Sequence, residues 1–174
     1  MKSYTSHSSE KLHAEIIESL KHELNVVLVS DAGTPCISDP GVLLVKKVHE
    51  EAPEVSVVAI PGPSALVSAL SISGVSASEF TFLGFLPHKK GRETALRKIV
   101  EIEHPVVMYE STHRILKLLQ ELDKWIGDRK VGIAKELTKI HEGYYQGTAK
   151  ELLLFLEKNK DKQKGEFVVI VDKK

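Results

Sequence analysis

Leu12, Ile16, Leu20 and Leu24 recur every four residues, and most positions between them are polar. This spacing predicts an amphipathic helix. Residues 26–29 then form a short β-branched run, which predicts a strand covered on both faces. Asp39-Pro40 reads as a helix N-cap with proline at the first helical position, and Leu44, Val45 and Val48 line the helix behind it. A second apolar run, 55–60, predicts another strand. Residues 64–73 predict a short apolar helix stopped by Gly74. Further along, 80–85 reads as a strand, 87–91 as a loop, 94–103 as a helix and 106–109 as a strand. Ser111 is placed to cap a helix carrying Ile115, Leu118, Leu119 and Leu122. A strand at 131–134, a Thr148–Glu151 capping box opening a helix, and a last strand at 167–171 complete the pattern. The alternation predicts an α/β protein with a parallel first half and a mixed second half. The polar run 73–78 divides it into an N-terminal α/β subdomain, 1–75, and a C-terminal one, 76–174.

Composition narrows the function classes. Hydrophobic residues at 42% and charged residues at 28% are ordinary for a globular protein with a real core. Formal net charge is zero, so nucleic-acid binding would need a local patch rather than bulk charge. The single cysteine, Cys36, excludes an intrachain disulfide and a cysteine-built zinc site. The eight histidines show no metal-ligand spacing, and His7, His13 and His22 are expected on the surface of one polar helix. No apolar run approaches the roughly 20 residues that span a bilayer. The polar first ten residues do not read as a signal peptide, so the cytoplasm is the expected location.

The chemistry concentrates in turns that follow strands. Asp31-Ala32-Gly33-Thr34-Pro35 and Ile60-Pro61-Gly62-Pro63-Ser64-Ala65 each follow an apolar run and precede a helix. Open α/β sheets bind ligands at such places, and two of them predict one shared cofactor pocket. Glu110-Ser111-Thr112-His113-Arg114 offers two candidate catalytic groups, Glu110 and His113, that could take a proton. The alternative is that Ser111 caps a helix while Arg114 pairs with Glu110. Lys135, Glu136, Lys139, His141 and Glu142 form a charged stretch that reads as a solvated loop. Lys89, Lys90, Arg92, Arg97 and Lys98 form a basic patch beside Phe85, either a phosphate-binding surface or an exposed helix start.

The segment Val29-Ser30-Asp31-Ala32-Gly33-Thr34-Pro35-Cys36-Ile37-Ser38-Asp39-Pro40-Gly41 resembles the hallmark of the tetrapyrrole methylase superfamily, in its small-subunit ribosomal RNA 2′-O-methyltransferase I branch. Gly84-Phe85-Leu86-Pro87, the 109–114 and 135–142 segments, Gly147-Thr148 and Lys164-Gly165-Glu166-Phe167 fit the same branch in order. The resemblance implies S-adenosylmethionine as methyl donor, bound between two α/β subdomains. Ala32, Gly33, Thr34, Ile37, Ser64, Ala65, Tyr109, Glu110, Leu137, Thr138, Gly165 and Glu166 would contact it. Arg114, Lys135, Glu136, Lys89 and Lys90 would face the substrate, ribosomal RNA in the small subunit. A homodimer is also implied. Family members open with two further strands that have no counterpart here, so the first subdomain is expected to be N-terminally truncated. Two other readings stay open: methylation of a tetrapyrrole-like small molecule, and an inactive fragment that survives as a dimer-forming or binding module.

Overall fold

The computed structural model describes residues 1–174. The chain divides into two compact units, Met1–Ser64 and Ala65–Lys174.

The first unit is built on two helices. Helix α1 (Glu10–Lys21) starts at Ser9, whose hydroxyl accepts from the Leu12 amide at 3.3 Å. Helix α2 (Val42–Glu51) packs against it through a core of Ile17, Leu44, Val48 and Ala52, flanked by Tyr4, Ile16, Leu20 and Val55. His13 is a correction to the surface placement: it is 2% exposed, and its Nε2 lies 2.9 Å from the Tyr4 hydroxyl. Asp39 does not cap α2, because the chain enters that helix through Gly41 at φ 134° with no side-chain cap.

The two expected strands of this unit are not formed. No amide from Val26 to Cys36 or from Val57 to Ser64 donates to a main-chain carbonyl outside a regular element, and neither run belongs to one. Their apolar side chains face solvent, with Val27 77%, Val58 72% and Ile60 78% exposed. A β-branched run becomes a strand only when a neighbouring strand supplies its ladder partners. Here none does.

The second unit is a five-stranded mixed sheet covered by helices. Its strands are β1 (Thr81–Phe85), β2 (Val106–Ser111), β3 (Lys130–Lys135), β4 (Gly143–Thr148) and β5 (Glu166–Val171), in the order β1-β2-β5-β3-β4. β1 and β2 are parallel, and the other pairings are antiparallel, so β1, β2 and β3 all point the same way. Directly opposed residues share a face. The register therefore lays three rows across β2, β5 and β3: Val106–Val171–Val131, Met108–Val169–Ile133 and Glu110–Phe167–Lys135. This face is covered by α4 (Arg92–Glu101), α5 (Ile115–Ile126) and α6 (Ala149–Lys158), through Leu96, Ile99, Leu118, Leu119, Leu122, Leu152 and Leu156. On the other face, α3 (Ala65–Ser73) sets Ala69 and Leu70 against Val107, Ala134, Val168 and Ile170.

Strand β4 was not read from the sequence. The Thr148–Glu151 capping box forms as expected and opens α6. Ser111 does not cap α5; it ends β2, and its carbonyl accepts from the Arg114 amide at 3.0 Å.

The two kinds of apolar position should differ in cost. Ile133→Ala, in the middle row, should lose about 2–5 kcal/mol, whereas Val58→Ala should stay within about 0.5 kcal/mol. Urea unfolding of both variants reads the difference. A cost above about 1 kcal/mol for Val58→Ala would mean that its run is packed.

Candidate functional site

The parallel orientation of β1, β2 and β3 brings their carboxyl ends to one edge of the second unit. The loops there are 86–91 after β1, the turn 112–114 after β2, and 136–142 after β3. Residues 163–165, which lead into β5, meet them at the same edge. This is where ligands bind to sheets of this kind.

Glu110 and Lys135, the charged ends of the third row, reach into these loops from below. The Glu110 side chain is 0% exposed. Its Oε1 accepts from the Ser111 amide at 2.8 Å and pairs with Arg114 Nε at 3.1 Å. Its Oε2 has no hydrogen-bond partner and lies 3.9 Å from Arg92 Nη2. Arg114 donates through Nη2 to the Leu86 carbonyl at 2.6 Å, and its Nη1 lies 3.1 Å from His88 Nε2. Arg92 donates through Nη1 to the Pro87 carbonyl at 3.1 Å and through Nε to both Glu121 oxygens, at 3.1 and 2.8 Å. The buried carboxylate thus holds two guanidiniums, and each guanidinium holds a carbonyl of the 86–91 loop.

On the other side of Phe167, Lys135 is 3% exposed and donates to the His141 carbonyl at 3.2 Å, which closes the 136–142 loop. That loop is tightly wound. Glu136 and Thr138 both adopt left-handed backbone, at φ 49° and 65°. The Glu136 carboxylate accepts from the Glu166 amide at 2.8 Å and pairs with Lys139 at 3.1 Å, and Lys139 also reaches Glu166 Oε2 at 2.9 Å. The Glu166 amide, and then Lys139, hold the Glu136 carboxyl below its ordinary value of 4.5, and the two carboxylates raise Lys139. Gly165 fits beside them because it has no side chain: its φ is 125°, and an added Cβ would sit 2.8 Å from Glu136 Cδ. The Thr112 hydroxyl clamps the same glycine, donating to its carbonyl at 2.8 Å and accepting from its amide at 2.7 Å.

The two turns of the first unit also meet. Gly33 has φ 75°, and a Cβ there would lie 3.6 Å from the Pro63 carbonyl oxygen. Thr34 Oγ1 donates to that same oxygen at 3.1 Å, and Ser30 Oγ donates to the Gly33 carbonyl at 2.9 Å. Ala32 and Ile37 are exposed, and Ser64 is half-buried.

The expected site residues therefore fall into two groups. Ala32, Gly33, Thr34, Ile37 and Ser64 belong to the first unit. Ala65 opens α3, and Tyr109, Glu110, His113, Arg114, Lys135, Glu136, Leu137, Thr138, Gly165 and Glu166 gather at the sheet edge of the second. Tyr109 stacks edge-on with Phe82 and Phe85, at ring separations of 5.0 and 5.6 Å. His113, Lys89 and Lys90 are exposed. Two members of the expected basic patch are otherwise engaged. Arg92 is buried in the loop clamp, and Arg97 pairs with Glu93 and lies over Trp125. Sequence reasoning missed Glu121 and the Thr112–Gly165 clamp. Glu121 sits on α5 far from any motif, and only the fold brings it to Arg92.

A family model described as Tetrapyrrole (Corrin/Porphyrin) Methylases matches residues 2–153. A protein from Thermotoga maritima named Ribosomal RNA small subunit methyltransferase I is 41% identical over 172 residues, covering 99% of this chain and 76% of that protein. Proteins of the same name from Haemophilus influenzae and Escherichia coli O157:H7 are 42% and 39% identical, and the chain spans 58% of the length of each. Solved structures share the fold. A cobalt precorrin-4 methyltransferase aligns with TM-score 0.64 at 15% identity over 96% of this chain and 72% of that one. Diphthine synthase aligns with TM-score 0.65 at 16% identity over 95% and 66%. A uroporphyrin-III C-methyl transferase from Thermus thermophilus, complexed with S-adenosylhomocysteine, aligns with TM-score 0.59 at 15% identity over 98% and 76%.

Glu110→Ala leaves the largely buried Arg114 guanidinium without its carboxylate, while Arg92 keeps Glu121, and should cost roughly 3–5 kcal/mol in urea unfolding. A cost below about 1 kcal/mol would mean that water serves Arg114 equally well. Glu136 makes a pH-dependent contribution. Its carboxyl is held low in the folded state, so its stabilisation is present above pH 4.5 and is lost as pH falls through the folded value. Wild type should therefore exceed Glu136→Gln in melting temperature near pH 7, and the gap should shrink below pH 4.5. A gap independent of pH would refute the assignment.

Proposed function

The chain belongs to the tetrapyrrole methylase family, in its small-subunit ribosomal RNA methyltransferase I branch, and from that premise we propose that it methylates a ribose 2′-hydroxyl of small-subunit ribosomal RNA, with S-adenosylmethionine as donor. The observation that carries the RNA substrate, rather than a tetrapyrrole, is the likeness to relatives named for ribosomal RNA over 99% of the chain. When bound, S-adenosylmethionine supplies an electrophilic methyl group on a sulfonium.

The residues present fit such a donor. The turns at 31–35 and 60–64 expose main chain whose amides donate to no other carbonyl outside a regular element, and Gly33 keeps the close approach free of a side chain. Ala32, Gly33, Thr34, Ile37, Ser64 and Ala65 would hold it through that main chain. Tyr109, Leu137, Thr138, Gly165 and Glu166 would contribute from the sheet edge. The Thr112 and Glu136 contacts fix the backbone of Gly165 and Glu166 before anything binds.

In the reaction an oxygen–carbon bond forms, the carbon–sulfur bond breaks, and the 2′-hydroxyl proton must leave. Glu110 and His113 are the candidates for that proton. A carboxylate with no exposure, committed to Arg114, supports a positioning role for Glu110. His113 stands exposed in the turn after β2, within the same cluster of loops, and we assign proton acceptance to it. Lys89 and Lys90 serve the substrate's phosphates. Arg114, Lys135 and Glu136 act on the substrate indirectly, by shaping the loops that meet it. No helix is long and apolar enough to cross a membrane, and a cytoplasmic site of action suits this substrate. A second copy of the chain is the expected partner. The exposed valines at 27 and 58 support this, and light scattering on a concentrated sample should give twice the chain mass.

Isothermal titration should show micromolar S-adenosylmethionine binding, and small subunits lacking the modification should accept the methyl group. Transfer only to a porphyrinoid, or no binding by folded protein, would sink the reading. His113→Ala should lower kcat about 10²–10⁴-fold with KM little changed. A loss under about threefold would leave methyl transfer to positioning alone.

A further inference from the structure

Phe85 ends β1 at the ligand-binding edge of the sheet, and it is 52% exposed. Large aromatic side chains carry much apolar surface, and this one lies beside a fully buried leucine, Leu86. The Phe85 ring meets Tyr109 edge to face, with centroids 5.6 Å apart and planes at 62°. Tyr109 is itself braced edge-on by Phe82 at 5.0 Å. At the next two residues, the Arg114 and Arg92 contacts to the Leu86 and Pro87 carbonyls fix the backbone. Further along the same loop come the exposed residues His88, Lys89 and Lys90. The result is a braced, half-exposed aromatic, followed four and five residues on by two exposed lysines that make no ion pair. Single-stranded nucleic acid is bound by this combination, an aromatic on which a base stacks and cations that take the flanking phosphates.

We propose that Phe85 is a stacking platform for one unpaired base of the RNA substrate, flanked by the phosphate contacts of Lys89 and Lys90. The proposal rests on the RNA reading above and adds to it the residue that engages a base. Rigidity matters to it, because a ring held by Tyr109 and by the clamped backbone loses little freedom on stacking. Aliphatic bulk would serve a buried core position equally well. A stacking platform needs the π face.

The test is binding of a labelled, unmodified single-stranded fragment of small-subunit ribosomal RNA, followed by fluorescence anisotropy at several salt concentrations. S-adenosylmethionine titration and heparin binding are measured in parallel. Phe85→Ala should weaken RNA binding about 5-fold to 150-fold. Phe85→Leu should weaken it nearly as much, and Phe85→Trp should restore it. Heparin, which has phosphate-like charge and no bases, should bind all three variants as it binds wild type. Lys89→Ala with Lys90→Ala should weaken both polyanions and flatten the RNA salt dependence by about 1.4, at about 0.7 for each single-strand contact. If wild type binds and methylates RNA while Phe85→Ala or Phe85→Leu binds it equally well, the stacking role is overturned and the enzyme reading stands. If Phe85→Ala loses S-adenosylmethionine and keeps RNA, the ring belongs to the donor site and the proposal fails. If wild type binds no RNA, both readings fall together.

Discussion

A carboxylate with no access to water governs the edge of the sheet where β1, β2 and β3 end. Taking Glu110 out of solvent is costly unless its charge is matched at close range. Arg114 matches it at 3.1 Å, and Arg92 adds a longer contact at 3.9 Å. Both arginines must then sit under the 86–91 loop, where their remaining donors meet the Leu86 and Pro87 carbonyls. Glu121 closes the arrangement from α5 and satisfies the far side of Arg92. The loop that follows β1 is thus shaped by a residue at the end of β2, and the helices on that face supply the counter-charge. Lys135 repeats the design across Phe167 with the opposite sign and a single carbonyl partner. One row of the sheet, Glu110–Phe167–Lys135, therefore anchors the two loops that flank the edge.

The first unit works by a different economy. Its helices bury a small core, while the runs at 26–29 and 57–60 keep their main chain unpaired and their valines in solvent. The turns are ordered by contacts with each other, Gly33 against Pro63 and the Thr34 hydroxyl on the Pro63 carbonyl, and by Ser30, whose hydroxyl donates to the Gly33 carbonyl. Unpaired amides next to a glycine turn favour a ligand read through its polar atoms. The same amides on β-branched runs favour strand pairing with other protein. Both features follow from one fact, that these runs have strand chemistry and no strand partner in the structure.

The legibility of the sequence follows the same division. Where an element is stabilised by its own residues or by neighbours that the pattern reveals, the reading succeeds: α1 by its four-residue spacing, α6 by its capping box, β5 by its unbroken apolar run. Where stability depends on a partner, it fails in both directions. The runs at 26–29 and 55–60 look like strands and lack a ladder. Gly143–Thr148 carries no apolar run to mark it as a strand, and it pairs fully with β3. Around the site, Glu110 and Arg114 were legible as a pair because they are four residues apart. Their burial was not, since it depends on α4 and α5 closing over the sheet. Arg92 read as part of a basic surface because its sequence neighbours are basic, and only the tertiary contact with Glu121 turns it inward.

That inward turn bears on how a neutral protein could hold a polyanion. The chain has four arginines, and each is engaged by the fold. Arg92 and Arg114 clamp the 86–91 loop, Arg97 lies over Trp125, and Arg129 donates to the Asp172 and Ile99 carbonyls. Bidentate guanidinium recognition of phosphates or guanine edges is the usual use of surface arginine in nucleic-acid binding. Here that use is largely spent on internal carbonyls. The cations left at the edge are lysines, which act as point charges and carry no directional readout. Lysines can retain an RNA backbone and read bases with less geometric selectivity than a guanidinium. Under the proposed RNA reading, discrimination at this edge would come from shape and from faces rather than from charged forks. The half-exposed aromatic at the end of β1 and the rigid main chain of the 136–142 loop are the features with the shape to provide it.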